Sequence, residues 1–176
     1  MKNKSIDRRR AIRTLLYIAG GTLVLPACFR ESGKASIDVT NLSISEADEQ
    51  LLEELTETLI PATDTPGGKE LLLHLFVLKM VDDCHSPEEQ EKFTNGLSAF
   101  STWSKQELGT EFVTADAGSR TALLSKIGKS ADEDLKQFFS ITKRRAIQGY
   151  LNSQYVMTNL IKYELVPGRY NGYAPA

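Results

Sequence analysis

Apolar residues recur along most of the chain at three- and four-residue spacing, and no segment sustains the two-residue alternation of a half-buried strand. Leu51, Leu52, Leu55 and Leu59 share a helical face behind Ser45, which together with Glu46 and Asp48 forms a helix-start signal, and Pro61 stops the pattern. Residues 71–81 (LLLHLFVLKMV) are apolar almost all round and hold a single histidine, His74, which predicts a helix buried on most sides. Ser86-Pro87-Glu88-Glu89 combines an N-cap, a proline at the first helical position and a glutamate three residues on, and Phe93, Leu97 and Phe100 line the face that follows. Residues 119–127 supply Leu123, Leu124 and Ile127. Ser130-Ala131-Asp132-Glu133 reads as a second capping box, ahead of a helix over about residues 131–149 with Leu135, Phe138, Phe139, Thr142 and Ala146 on its core side. The fold class is therefore all-α: one small helical domain of five or six helices over residues 43–176.

Two stretches break the periodicity. Residues 61–68 (PATDTPGG) are dense in turn residues and predict a loop of fixed shape. From Gly149 onward the chain carries five tyrosines, three glycines and two prolines, and is a poor helix sequence after about Lys162. This predicts an irregular Tyr/Gly/Pro-rich C-terminal tail, whose rings suit either a partner surface or the chain's own helices.

The first 27 residues read as an export signal rather than as fold. A basic stretch, residues 2–13, precedes an apolar one, residues 14–25, which Gly20 and Gly21 interrupt and which is too short for a bilayer needing about 20 residues. Asp7-Arg8-Arg9-Arg10-Ala11-Ile12-Arg13 resembles a twin-arginine signal centred on Arg8 and Arg9, an address read by a receptor that accepts folded cargo. An ordinary secretory signal with an arginine-rich start is the alternative. Leu25-Pro26-Ala27-Cys28 looks like a lipobox, with Cys28 as the lipidated residue, and a plain small-residue cleavage site is the alternative there. Lipidation would make the chain a bacterial lipoprotein on the periplasmic side of the cell envelope, held at the membrane by acyl chains, with residues 28–42 as a polar tether.

At 176 residues and 19.5 kDa the chain is sized for one domain, and 41% hydrophobic with 25% charged residues excludes a disordered one. Residues 1–27 carry six basic groups against Asp7, leaving fifteen basic and twenty-two acidic side chains for the rest. An acidic body does not suit a phosphate backbone, so nucleic acid is not an expected partner. Lys143-Arg144-Arg145, the basic cluster past the start, reads as a solvated helix face.

Candidate chemistry is sparse. The histidines are His74 and His85, the cysteines Cys28 and Cys84. If lipid consumes Cys28, then Cys84 is left as a buried inert thiol or as a bridge to another subunit. A metal site of Asp82, Cys84 and His85 fails on spacing, because residues two apart on a helix do not share a face. The sequence contains neither G-x-S-x-G, G-x-G-x-x-G nor a P-loop. No catalytic, cofactor-binding or metal-ligating residue is predicted in this chain.

One combination is recognisable. Leu59-Ile60-Pro61-Ala62-Thr63-Asp64-Thr65-Pro66-Gly67-Gly68, an apolar helix ending in Asp82-Asp83-Cys84, then Gly149-Tyr150 and Val166-Pro167-Gly168-Arg169-Tyr170, behind a twin-arginine-like start, resemble the gluconate 2-dehydrogenase subunit 3 family over roughly residues 45–174. The resemblance implies a small non-catalytic subunit of a membrane-associated sugar or polyol dehydrogenase. In such complexes a glucose-methanol-choline type flavoprotein holds FAD, and a multihaem cytochrome c, with haem c, often takes the electrons as a third subunit. The small subunit would escort the flavoprotein through twin-arginine export. Family substrates include gluconate, glucose, fructose and disaccharides oxidised at carbon 3. The resemblance marks Pro61, Asp64, Pro66, Gly67, Tyr150, Tyr163, Pro167, Gly168 and Tyr170 as partner-binding, with Cys84 a candidate intersubunit disulfide. The rival reading is a stand-alone envelope lipoprotein acting as a binding or scaffold module, and a metal-dependent enzyme using Asp82, Cys84 and His85 is a third.

Overall fold

Ser45 starts the first helix as a reciprocal cap: its hydroxyl accepts the Asp48 N–H at 3.2 Å while the Asp48 carboxylate accepts the Ser45 N–H at 3.0 Å. This helix, α1 (Glu46–Leu59), has three acidic residues in its first turn, where the helix dipole favours them, and ends as Ile60 leaves the helical conformation before Pro61. The computed structural model describes residues 35–161 together with 163, 164, 166 and 168. Arg8, Arg9 and Cys28, Pro167 and Tyr170, and the whole export-signal reading lie outside those residues.

Helix α2 (Leu73–Cys84) buries Leu73, Val77, Leu78 and Val81. It begins two residues later than its apolar run, because Leu72 takes a left-handed conformation with φ of 51° and is exposed. Helix α3 (Pro87–Leu108) opens on the Ser86/Glu89 capping box with Pro87 in its first turn, and closes on Gly109, whose φ of 71° suits a residue without Cβ. Helix α4 (Ala117–Leu124) is capped by Asp116 and α5 (Glu133–Leu151) by Asp132, which accepts the Leu135 N–H at 3.0 Å. The box expected at Ser130 does not form. Asp132 stands three residues before Leu135, the first core side chain of α5, and takes the cap, while Ser130 Oγ accepts the Asp132 N–H one step outside the helix. Short 3₁₀ turns, Phe112–Thr114 and Ile127–Lys129, flank α4, and a π-helical turn, Val156–Leu160, follows α5.

Helix α5 packs against α1, α2 and α3. On the α3 side Gly96 permits the approach: a Cβ there would lie 2.4 Å from Asp134 O and 2.5 Å from Phe138 Cβ. Four buried rings then meet, Phe93 on Phe138 at 5.1 Å between centroids, Phe100 on Phe138 at 5.7 Å, and Phe100 on Phe112 at 5.1 Å. Each such pair adds about 0.5–1.5 kcal/mol to the burial of its rings. On the α2 side Gly149 plays the corresponding part, since a Cβ would come within 2.8 Å of the Phe76 ring.

The expected tether ends earlier than residue 42. Leu42 and Ile44 are buried and Ala35, Ile37 and Val39 pack on the core, so residues 35–44 form a strap on the domain. Two carboxylates clamp it. Glu49 accepts from Ser36 N and Oγ, and Asp82 accepts from Thr40 N at 3.0 Å and Asn41 N at 2.7 Å, with Asn41 Nδ2 donating to Asp82 O. Apolar points spaced along a polar stretch are enough to seat it once the backbone N–H groups have acceptors.

Candidate functional site

Glu57, in the last turn of α1, shapes the loop that follows. An acidic residue there opposes the helix dipole, so its place needs another cause. Its carboxylate accepts the Ala62 N–H at 3.0 Å and the Lys69 N–H at 2.9 Å, tying together the two ends of residues 61–68. Gly68 N–H donates to Ile60 O at 2.8 Å, and Thr63 N–H to Thr65 O at 3.0 Å. Gly67 and Gly68 are buried against the end of α1: a Cβ would stand 2.5 Å from Ala62 N or from Thr56 O respectively. Their place in the motif is thus a requirement of backbone approach.

This loop presents Pro61, Ala62, Thr63 and Asp64 to solvent, with Pro66 half-buried behind them. Tyr150, near the end of α5, reaches it with its hydroxyl 3.4 Å from Thr65 Oγ1. The structure therefore brings Pro61, Asp64, Pro66 and Tyr150 to one surface, although 85 residues separate Thr65 from Tyr150. Gly67 underlies that surface. Tyr163 and Gly168 are exposed, and the Tyr163 backbone N–H donates to Met157 O at 2.8 Å. Below the loop, Glu54 pairs with both Lys69 and Arg120, and Arg120 lies 5.5 Å from the Phe112 ring, so loop, α1 and α4 are joined through one carboxylate.

Asp82, Cys84 and His85 point to different places. Asp82 is buried under the strap. Although burial alone would raise its pKa, the Thr40 and Asn41 N–H groups and Lys79 hold it below the ordinary value. Cys84 is exposed, which removes the buried-thiol reading. The His85 side chain turns inward, where Nε2 lies 3.2 Å from Arg145 Nε and 2.9 Å from Arg145 Nη2. A guanidinium can only donate, so Nε2 accepts and the ring proton sits on Nδ1, 3.4 Å from Glu89 Oε2. Burial, and then the arginines, hold His85 below the usual histidine range. Burial does the same for His74, which is 3.9 Å from Glu49. Among the described residues no three His, Cys, Asp or Glu side chains cluster closely enough to hold a metal ion.

The basic cluster divides. Arg145 serves His85 and Gln148, whereas Lys143 and Arg144 are exposed and form no ion pair among the described residues. A cavity of about 260 Å³ between α1, α3 and the first 3₁₀ turn is lined by Asp48, Ser104, Glu111 and Phe112. Three of its polar residues are already engaged: Asp48 caps α1, Ser104 donates to Ser101 O, and Glu111 pairs with Lys105.

No curated protein and no solved structure matches the chain. The family model for gluconate 2-dehydrogenase subunit 3 matches residues 46–168, from the first residue of α1 through the loop, α5 and Gly168. That span covers well over half of the 176 residues and includes both sides of the loop–Tyr150 surface, and the chain belongs to the gluconate 2-dehydrogenase subunit 3 family.

Proposed function

We propose that this chain is the non-catalytic accessory subunit of a flavin-dependent sugar or sugar-acid dehydrogenase, and that it binds, escorts and stabilises the subunit that carries FAD. The observation that carries this reading is the family match over residues 46–168, which makes the chain a dehydrogenase subunit. Its own residues agree with a supporting part: Asp48, Ser104 and Glu111 of the α1–α3 cavity and His85 Nε2 are engaged within the fold, while the loop meets Tyr150 at the surface. Binding only the folded partner stabilises it by RT ln(1 + [L]/Kd), about 2.7 kcal/mol at a hundredfold excess over Kd. Arg8 and Arg9 are read as the twin-arginine address for the pair, Cys28 as its lipid anchor at the periplasmic membrane surface, and a cytochrome c as the electron acceptor of the complex.

The test is to change Arg8→Lys and Arg9→Lys together and to follow the flavoprotein encoded alongside. Escort predicts that the flavoprotein accumulates in the cytoplasm. Its normal appearance in the periplasm would overturn escort, and the absence of any flavoprotein from the purified complex would favour the stand-alone lipoprotein.

A further inference from the structure

The two buried histidines differ in what a proton would undo. Among the described residues His74 Nδ1 has no hydrogen-bond partner, and Nε2 stands 3.9 Å from Glu49 Oε1, beyond hydrogen-bond reach. Protonating that ring breaks no bond. His85 is the opposite case. It closes α2 as the C-cap residue, and its side chain, 3% exposed, reaches two other helices. Nδ1 faces Glu89 of α3 at 3.4 Å, while Nε2 accepts from Arg145 of α5 through Nε at 3.2 Å and Nη2 at 2.9 Å.

A guanidinium carries donors only, so both bonds to Nε2 exist only while that nitrogen keeps its lone pair. A proton there removes the two together and sets one cation against another. The remaining described partner of Arg145 is Gln148 Oε1 at 2.8 Å, which is uncharged, so no carboxylate holds the guanidinium in place once His85 repels it. Glu89 offers the charged ring a different home. It favours the proton, whereas burial, Arg145 and Arg144 oppose it. On α2 itself Lys79 lies 3.6 Å from Asp82 and 3.2 Å from Asp83, and the strap also occupies Asp82.

The helices on either side do not depend on His85 for their contact. Gln90 of α3 donates through Nε2 to Val81 O at 3.1 Å and to Asp82 O at 2.9 Å, which joins the end of α2 to the start of α3 by a route that no proton alters. Loss of the Arg145 contact is thereby confined to the short turn between them.

We infer that His85 and Arg145 form a proton-operated latch: protonation of His85 Nε2 passes the ring from Arg145 to Glu89, unfastens the α2–α3 turn from α5 and frees the Arg145 guanidinium beside Arg144. The device needs only the residues of this chain and holds whichever partner the chain has.

The test follows the full chain, isotope-labelled, by nuclear magnetic resonance from neutral to acidic pH. The latch predicts that Nε2 is the unprotonated ring nitrogen of His85 at neutral pH, and that the Arg145 Nε signal moves with the same midpoint as the His85 ring. Amide protection at Cys84, His85 and Ser86 should fall by up to about tenfold per pH unit below about 6.5, ahead of that at buried Leu78 and Phe93. His85→Gln keeps a neutral acceptor for Arg145 and should abolish the acidic fall at the turn. If that variant melts early, the tautomer and the joint titration still decide, since both are read on the unaltered chain. A proton on Nε2 at neutral pH would overturn the latch, as would an Arg145 signal indifferent to the His85 titration. So would a loss of protection shared equally by Leu78 and Phe93, or one that persists at the turn in a folded His85→Gln chain.

Discussion

The contact between α3 and α5 and the turn that leads into α2 are built to opposite specifications. In the first, Phe93, Phe100, Phe112 and Phe138 are fully buried and Gly96 gives up its side chain so that two helices can close on them. In the second, Glu57, Gly67 and Gly68 fix the backbone with comparable care, yet the residues so fixed include exposed Pro61 and Asp64 and an outward leucine. Close definition of the main chain therefore serves the interior in one region and the exterior in the other.

That contrast can be broken most forcefully from the inside. Phe138→Ala, which removes the ring shared by Phe93 and Phe100, should cost about 3–5 kcal/mol of unfolding free energy in a denaturant titration. A loss below 1 kcal/mol would mean that the rings are not packed as described. At the turn, Glu57→Gln should cost less, about 1–3 kcal/mol, because one of the Ala62 and Lys69 N–H groups loses its acceptor. Amide exchange should quicken at those two positions before it does so in α3 or α5. Uniform acceleration everywhere would remove the special standing of the carboxylate.

Acidity gives the mildest and most graded comparison. His74 and His85 sit below the usual histidine value, chiefly through burial, so the native state resists protons that the unfolded chain accepts near pH 6.5. Stability should therefore begin to fall as pH drops below about 6.5 and continue down through the native values. Asp82, held low by the strap's N–H groups despite its burial, adds a second loss as pH falls below about 3.8. The aromatic contact between α3 and α5 has no titrating member. Denaturation midpoints measured from pH 8 to 3 should show these two steps, and a flat profile between pH 7 and 5 would contradict the buried neutral histidines.

Helix positions were legible because they rest on local chemistry: Ser45, Ser86 and the leucine and phenylalanine spacing depend on neighbours within a turn or two. The capping box expected at Ser130 gives way to Asp132, whose carboxylate accepts the Leu135 N–H. Phe112 was silent because a three-residue 3₁₀ turn has no periodicity to read. The loop was visible as a motif, whereas its organiser was not. Glu57 could have been noticed as an acid at the negative end of a helix, but its partners at Ala62 and Lys69 are apparent only once the chain has turned back on it. Residues 35–42 were misread because their hydrogen bonds go to Glu49 and Asp82, over distances along the chain that no local pattern records.

The clamped strap also acts as a cross-brace. Its two carboxylates belong to different helices, Glu49 to α1 and Asp82 to α2, so residues 36–41 join the start of one helix to the end of the other. Peeling the segment away would uncover Leu42 and Ile44 and leave Asp82 buried without the N–H groups that hold its charge, which makes release of the strap an early step in loss of the whole core rather than a local fraying.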